Sequence, residues 1–158
     1  MNRTSVTVPA ASGSTAPRTY NVIDCAGASI TVRRRPSAAV LAVDGEVDAT
    51  NVVLFSAAIR RFAAVGRPVV LDLSGLGFLN LTGFRSLLTL HRDYRRTDSP
   101  FMVVPGAALH PLLRAIPDHG LILQPSAAEA MDRISEMPHA NRPIFHLVIG
   151  SGRGLVGT

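Results

Sequence analysis

The chain contains no lysine and no tryptophan, and it has a single cysteine, Cys25. Each absence removes a class of function. Without Lys there is no phosphate-binding loop of the Gly-rich, Gly-Lys-Ser/Thr type, because its ammonium is the charge that reaches the phosphates. One cysteine cannot form an intramolecular disulfide, the usage expected of a reducing compartment. Cys25 itself reads as a small buried or half-buried side chain. Aromatics are 5% of the 158 residues, so the core must be built from Val, Leu, Ile and Ala. No apolar run approaches the roughly 20 residues that a helix needs to cross a bilayer. Residues 1–19 hold no apolar segment of the signal-peptide kind. The expectation is a soluble, cytoplasmic protein with no membrane span.

All 16 basic residues are Arg, and the formal charge is +5. The charge is dispersed, with tight clusters only at Arg33-Arg34-Arg35, Arg60-Arg61 and Arg95-Arg96. A nucleic-acid binder usually shows a continuous basic face with aromatics interleaved, so no direct nucleic-acid contact is expected. The 5 His residues show neither zinc-ligand spacing nor a Cys partner, which argues against a metal site. His91 falls on an apolar helix face and reads as a packed side chain. Asp72 ends a strand without a partner acid, metal or nucleophile, and Ser74 is not part of a Gly-x-Ser-x-Gly elbow. Gly150-Ser151-Gly152-Arg153-Gly154 follows no strong strand and opens no helix. We therefore expect neither catalysis nor a cofactor.

Hydrophobic residues are 47% and charged residues 17% of the chain, a balance that supports one globular domain. Residues 1–19, rich in Ser, Thr, Ala and Pro, read as a disordered tail. Residues 20–136 read as the domain. Residues 137–158 read as a mostly disordered tail or, over 144–149, an added edge strand. Within the domain, Ser29-Ile30-Thr31-Val32-Arg33 alternates as a strand does. Ala39-Val40-Leu41-Ala42-Val43 is a continuous apolar run of the buried kind, and the short break between the two predicts an antiparallel pair. A helix is expected from Thr50, with Asp48 as its N-cap and Val52, Phe55, Ile59 and Phe62 on one face. Strand 69–73, a loop over 74–80 and a helix over 82–95 follow, the helix packing through Phe84, Leu87, Leu88, His91 and Tyr94. Beyond them come a strand at 101–104, a short helix at 108–115, a strand at 121–123 and a helix at 126–135 with Ser126 and Glu129 at capping-box spacing. Strands alternating with helices predict an α/β layer fold with a mixed β-sheet of four to five strands.

The segment 69–90 reads VVLDLSGLGFLNLTGFRSLLTL. With its Leu71-Asp72-Leu73-Ser74, Phe78-Leu79 and Asn80-Leu81-Thr82-Gly83, and with Gly45-Glu46-Val47-Asp48 upstream, it resembles the STAS domain, the family of bacterial anti-sigma factor antagonists. The resemblance covers residues 29–134. It implies helices packed mainly on one face of the sheet and a protein–protein binding function rather than an enzymatic one. The implied partner is an anti-sigma factor, possessing serine-kinase activity in the typical case. Binding it releases a sigma factor and so regulates transcription; a homodimer is a further partner to test.

The partner-binding residues implied are Glu46, Asp48, Phe78, Asn80, Leu81, Thr82, Gly83 and Arg85. In the family the residue after an acidic position is a phosphorylated serine, and phosphate there ends binding. Here the acidic position is Asn80 and the serine position is Leu81, so the usual switch is expected to be absent or relocated. Thr82 has two readings, phospho-acceptor or cap of the helix beginning at Gly83, and local geometry favours the cap. The hydroxyls of Thr4 and Ser5 are further candidate phosphorylation positions. Two other readings stay open: an accessory subunit of a lipid or anion transport system, and a nucleotide-sensing STAS domain.

Overall fold

The computed structural model describes residues 2–8 and 18–138. The N-terminal half runs β1 (Asn2–Val8), β2 (Arg18–Asp24), β3 (Ala28–Arg34), β4 (Ala39–Val47) and α1 (Val52–Ala64). Then follow β5 (Val69–Asp72), β6 (Leu76–Leu79), α2 (Leu81–Arg96), β7 (Phe101–Val104), α3 (His110–Ala115), β8 (Ile122–Leu123) and α4 (Ala127–Glu136). The sheet has eight strands, in the order β1-β2-β3-β4-β5-β7-β8, with β6 paired to β4. β1 to β4 are antiparallel neighbours, whereas β4, β5, β7 and β8 are parallel. The sheet is mixed, as expected, but larger than the four to five strands anticipated.

The central strands are apolar without a break because both faces are covered. Ala39, Leu41 and Val43 of β4, Val69 and Leu71 of β5 and Val103 of β7 belong to one core with Phe55 and Ile59 of α1 and Phe84, Leu87 and Tyr94 of α2. The alternate positions Val40, Val70, Met102 and Val104 lie in a second, smaller core with Ala130 and Ile134 of α4. Three helices therefore take one face and α4 the other. The middle of α1 is tied to the last turn of α2. The buried Tyr94 hydroxyl donates to the Ile59 carbonyl at 2.9 Å, its ring stacks on Phe101 at 4.7 Å, and Arg60 pairs with Asp93 at 3.2 Å.

Four expectations change. Part of the stretch read as a disordered tail is strand: residues 2–8 are β1, paired antiparallel with β2, Thr4 opposite Val22 and Ser5 opposite Asn21. Hydroxyl content suggested disorder, but Thr and Val are β-branched, and the free edge of β2 gives their backbone a ladder. The 74–80 loop contains β6. Its parallel pairing extends β4 beyond the end of β5, with Glu46 opposite Phe78 and Val47 opposite Leu79.

The first long helix starts at Val52 with Asn51 as N-cap residue. Asp48 instead closes a local turn, accepting from the Thr50 N–H at 2.8 Å and the Thr50 hydroxyl at 2.5 Å. The α2 cap is Asn80 rather than Thr82, because the helix begins one residue earlier, at Leu81. Ser126 is the N-cap of α4 as expected, its Oγ accepting from the Glu129 N–H at 3.1 Å. The edge strand expected at 144–149 lies outside the described residues, as do residues 139–158 generally.

Candidate partner-binding site

The end of β4, β6 and the first turn of α2 form one junction, and its rigidity starts with backbone. The Asn80 N–H donates to the Val47 carbonyl at 3.2 Å, and the Glu46 N–H to the Gly27 carbonyl at 2.9 Å. Gly45 has φ +97°, and a Cβ there would fall onto the Gly27 and Ala28 backbone. Only glycine lets the β2–β3 turn approach β4 this closely. Gly83 is buried for a similar reason: a Cβ would strike Leu79 Cδ1 and lie 3.2 Å from Val47 Cγ1.

A buried polar residue joins the pieces. Asn51 is 2% exposed. Its side-chain oxygen accepts from the Asp48 N–H at 2.9 Å, and its amide donates to the Glu46 carbonyl at 2.8 Å and to the Ala26 carbonyl at 3.1 Å. One side chain thus fixes the β2–β3 turn, the end of β4 and the entry to α1. Sequence reasoning missed it. The available signal was an Asn at the boundary between the Asp48 turn and the apolar helical stripe, a position where Asn is favoured for local backbone bonding.

At the start of α2 the Asn80 side chain accepts from the Gly83 N–H at 2.8 Å. A carboxylate in that place would cap equally well and add a negative charge; Asn caps without the charge. No acidic residue stands in the first turn, so the partial positive charge of the helix N-terminus is not offset there. Leu81 and Thr82 are both exposed. Among the described residues the Thr82 hydroxyl has no hydrogen-bond partner.

The structure thus brings most of the expected residues together. Glu46 is exposed and opposite Phe78 in register, and Phe78 is 47% and Leu81 43% exposed. Arg85 is exposed one turn into α2, Asp48 and Asn80 are half-buried, and Gly83 is buried. The Asp48 carboxyl is held below its ordinary pKa, chiefly by the hydrogen bond from the Thr50 hydroxyl and then by the Thr50 N–H. Thr4 and Ser5 lie on β1, in the antiparallel pair with β2. Val53, 76% exposed in the first turn of α1, is an apolar residue the sequence reading did not single out. Cys25 is fully buried in the β2–β3 turn, and burial pushes its thiol pKa up. Among the described residues no group of three or more His, Cys, Asp or Glu side chains could hold a metal ion, and no helix is long and apolar enough to cross a membrane.

The molecule is an α/β layer with a partly apolar surface at one strand–helix junction. The chain belongs to the STAS domain family, which matches residues 29–115, more than half its length. It is 34% identical over 87 residues to Osmosensory protein A of Mycobacterium tuberculosis, covering 55% of this chain and 55% of that protein. The chain therefore spans about half the length of the curated relative it matches. In three dimensions it is similar to an anti-sigma factor antagonist from Mycobacterium paratuberculosis, with TM-score 0.62 and 24% identity over 69% of this chain and 95% of that one. It is also similar to the anti-sigma factor antagonist SpoIIAA in its unphosphorylated form, with TM-score 0.56 and 18% identity over 68% of this chain and 99% of that one. Part of the murine Solute Carrier 26 family member A9 anion transporter has the same fold, with TM-score 0.53 and 17% identity over 86% of this chain and 23% of the transporter.

Proposed function

We propose that this protein is an anti-sigma factor antagonist that binds an anti-sigma factor through the β4–β6–α2 junction and so frees a sigma factor, without catalysis of its own. The observation that carries the reading is a pair of exposed apolar side chains, Phe78 and Leu81, on backbone fixed by Asn51, Asn80 and Gly83. Apolar anchors on preorganised backbone are what binding hot spots are made of. Family membership and a fold shared with anti-sigma factor antagonists support the same reading.

The chemistry of the junction also bears on regulation. Leu81 carries no hydroxyl, so a phosphoryl group of −1.5 to −2 charges, roughly, cannot be placed at that position. The surface then binds constitutively or is controlled elsewhere on the chain. The test is an affinity pulldown from the native cell, paired with phosphosite mapping of the bait. An anti-sigma factor should co-purify with the wild type and be lost with Leu81→Asp. Such a substitution at a hot spot weakens binding by about 2 kcal/mol or more. Recovery of transporter subunits with no anti-sigma factor would overturn the reading in favour of a transport accessory role.

A further inference from the structure

One edge of the sheet is long and open. β1 stands at one end of the order β1-β2-β3-β4-β5-β7-β8. It pairs with β2 at every residue, from Asn2 opposite Asp24 to Val8 opposite Arg18, with no register shift. In an antiparallel ladder successive residues turn their N–H and C=O groups to opposite sides. Alternate β1 residues therefore bond to β2, and the others face away from the sheet, where no described strand pairs with them. Native proteins guard such edges with short strands, proline, bulges or charge. The opposite edge follows that rule, since β8 is two residues long, Ile122–Leu123. β1 does not. Over its seven residues, NRTSVTV, it has no proline and no bulge, and its one charged residue is Arg3.

The second observation is where this edge comes from. The STAS match begins at residue 29, within β3. β1 and β2 form a hairpin ahead of it and carry the sheet two strands further. The third observation is that the edge complements itself. Laid antiparallel on a second β1, about a two-fold axis through Ser5, all seven residues pair. Asn2 then stands opposite Val8, Arg3 opposite Thr7, Thr4 opposite Val6, and Ser5 opposite its own copy. No charge meets a like charge. The two Arg3 residues lie about 14 Å apart along the ladder, beyond the Debye length of about 8 Å at physiological salt. Moving the axis to Thr4 would unpair residues at both ends and halve that separation.

We propose that β1 is a dimerisation edge, on which a second copy of this chain adds its own β1 antiparallel, so that one continuous sheet crosses the two-fold axis. A two-fold contact closes on itself, which occupies both long edges and stops growth at two copies. The ends of the joined sheet are then the short β8 strands. β4, which carries the partner-binding junction, is separated from β1 by β2 and β3, so the dimer leaves both junctions open. The inference is independent of the anti-sigma reading and survives its failure.

Sedimentation velocity of the full chain tests it. One strand pair is a small interface, so the useful range is about 1 to 100 μM. The mass should rise from one chain to two and stop there. Ser5→Asp and Ser5→Lys should each stay monomeric throughout, because like charges would stand about 5 Å apart across the axis. An equal mixture of the two variants should restore the dimer. Hydrogen exchange of the wild type gives a readout that needs no variant: alternate β1 amides should be slow at the high concentration and fast at the low one. A wild type that is monomeric throughout would overturn the proposal. So would a dimer that persists in both Ser5 variants taken singly, or outward β1 amides already protected in the monomer, which would mean that another part of the same chain covers the edge.

Discussion

At the α2 N-terminus two polar residues, Asn80 and Thr82, have opposite standing. Asn80 accepts the Gly83 N–H, whereas Thr82 is exposed and its hydroxyl has no hydrogen-bond partner among the described residues. Asn80→Ala should therefore destabilise the fold by about 1 kcal/mol, the usual loss for an N-cap. Thr82→Ala should stay within about 0.5 kcal/mol, as exposed substitutions do. Urea denaturation of both variants checks the assignment, and a larger loss at Thr82 would return the cap to that residue. Asp48 gives a pH-dependent prediction. Its folded-state pKa is lowered from 3.8 by the Thr50 hydrogen bonds, so its carboxylate is favoured on folding. The stability it adds is complete above the unfolded value and is lost as pH falls through the lowered folded one. The stability gap between wild type and Asp48→Asn should be constant near neutrality and should close as pH drops below 3.8. A gap that widens in acid would contradict the bonding at Thr50.

At the scale of elements, the position of α2 depends on Gly83 more than on helix propensity. Ala is worth about 1 kcal/mol over Gly in a helix interior. Here its methyl would meet Leu79 Cδ1 and Val47 Cγ1, and overpacking typically costs about 1–3 kcal/mol. The clash should win. Gly83→Ala is expected to destabilise by about 1–2 kcal/mol and to shift the amide resonances of β6. A stabilised variant would mean that α2 can slide. Asn51→Ala removes three hydrogen bonds at one buried point. Leaving buried partners unsatisfied should cost about 3 kcal/mol, measurable by thermal unfolding, and should loosen the β2–β3 turn in hydrogen exchange.

The same element scale shows why the sequence was legible in some places only. Helices α1 and α2 were readable because their apolar period buries Phe55, Ile59, Phe62, Phe84, Leu87 and Tyr94. Strands β3 to β5 and β7 were readable as alternating or continuous apolar runs. By contrast, β1 and β6 are held mainly by neighbours: β1 by the free edge of β2, β6 by the protruding end of β4. A single segment carries no record of such pairing. The site was legible as a motif, but its cap was displaced by one residue and its organiser, Asn51, makes contacts 5 and 25 residues away in sequence. His91 was read as packed. It is packed, 7% exposed beside Phe101, and its buried Nδ1 has no partner among the described residues.

Over the whole molecule, the two cores give a continuous body in which α4 covers the sheet face that the other helices leave open. The candidate surface for protein recognition sits at the start of α2, where Phe78 and Leu81 are exposed. The most direct measurement is calorimetric titration of the purified full chain against each anti-sigma factor of the same cell, repeated after incubation of the mixture with ATP. The account predicts one-to-one binding to at least one of them, unchanged by ATP and weakened at least tenfold by Leu81→Asp. Absence of binding to all of them, or ATP-dependent loss of binding with phosphate on Thr82, would contradict it.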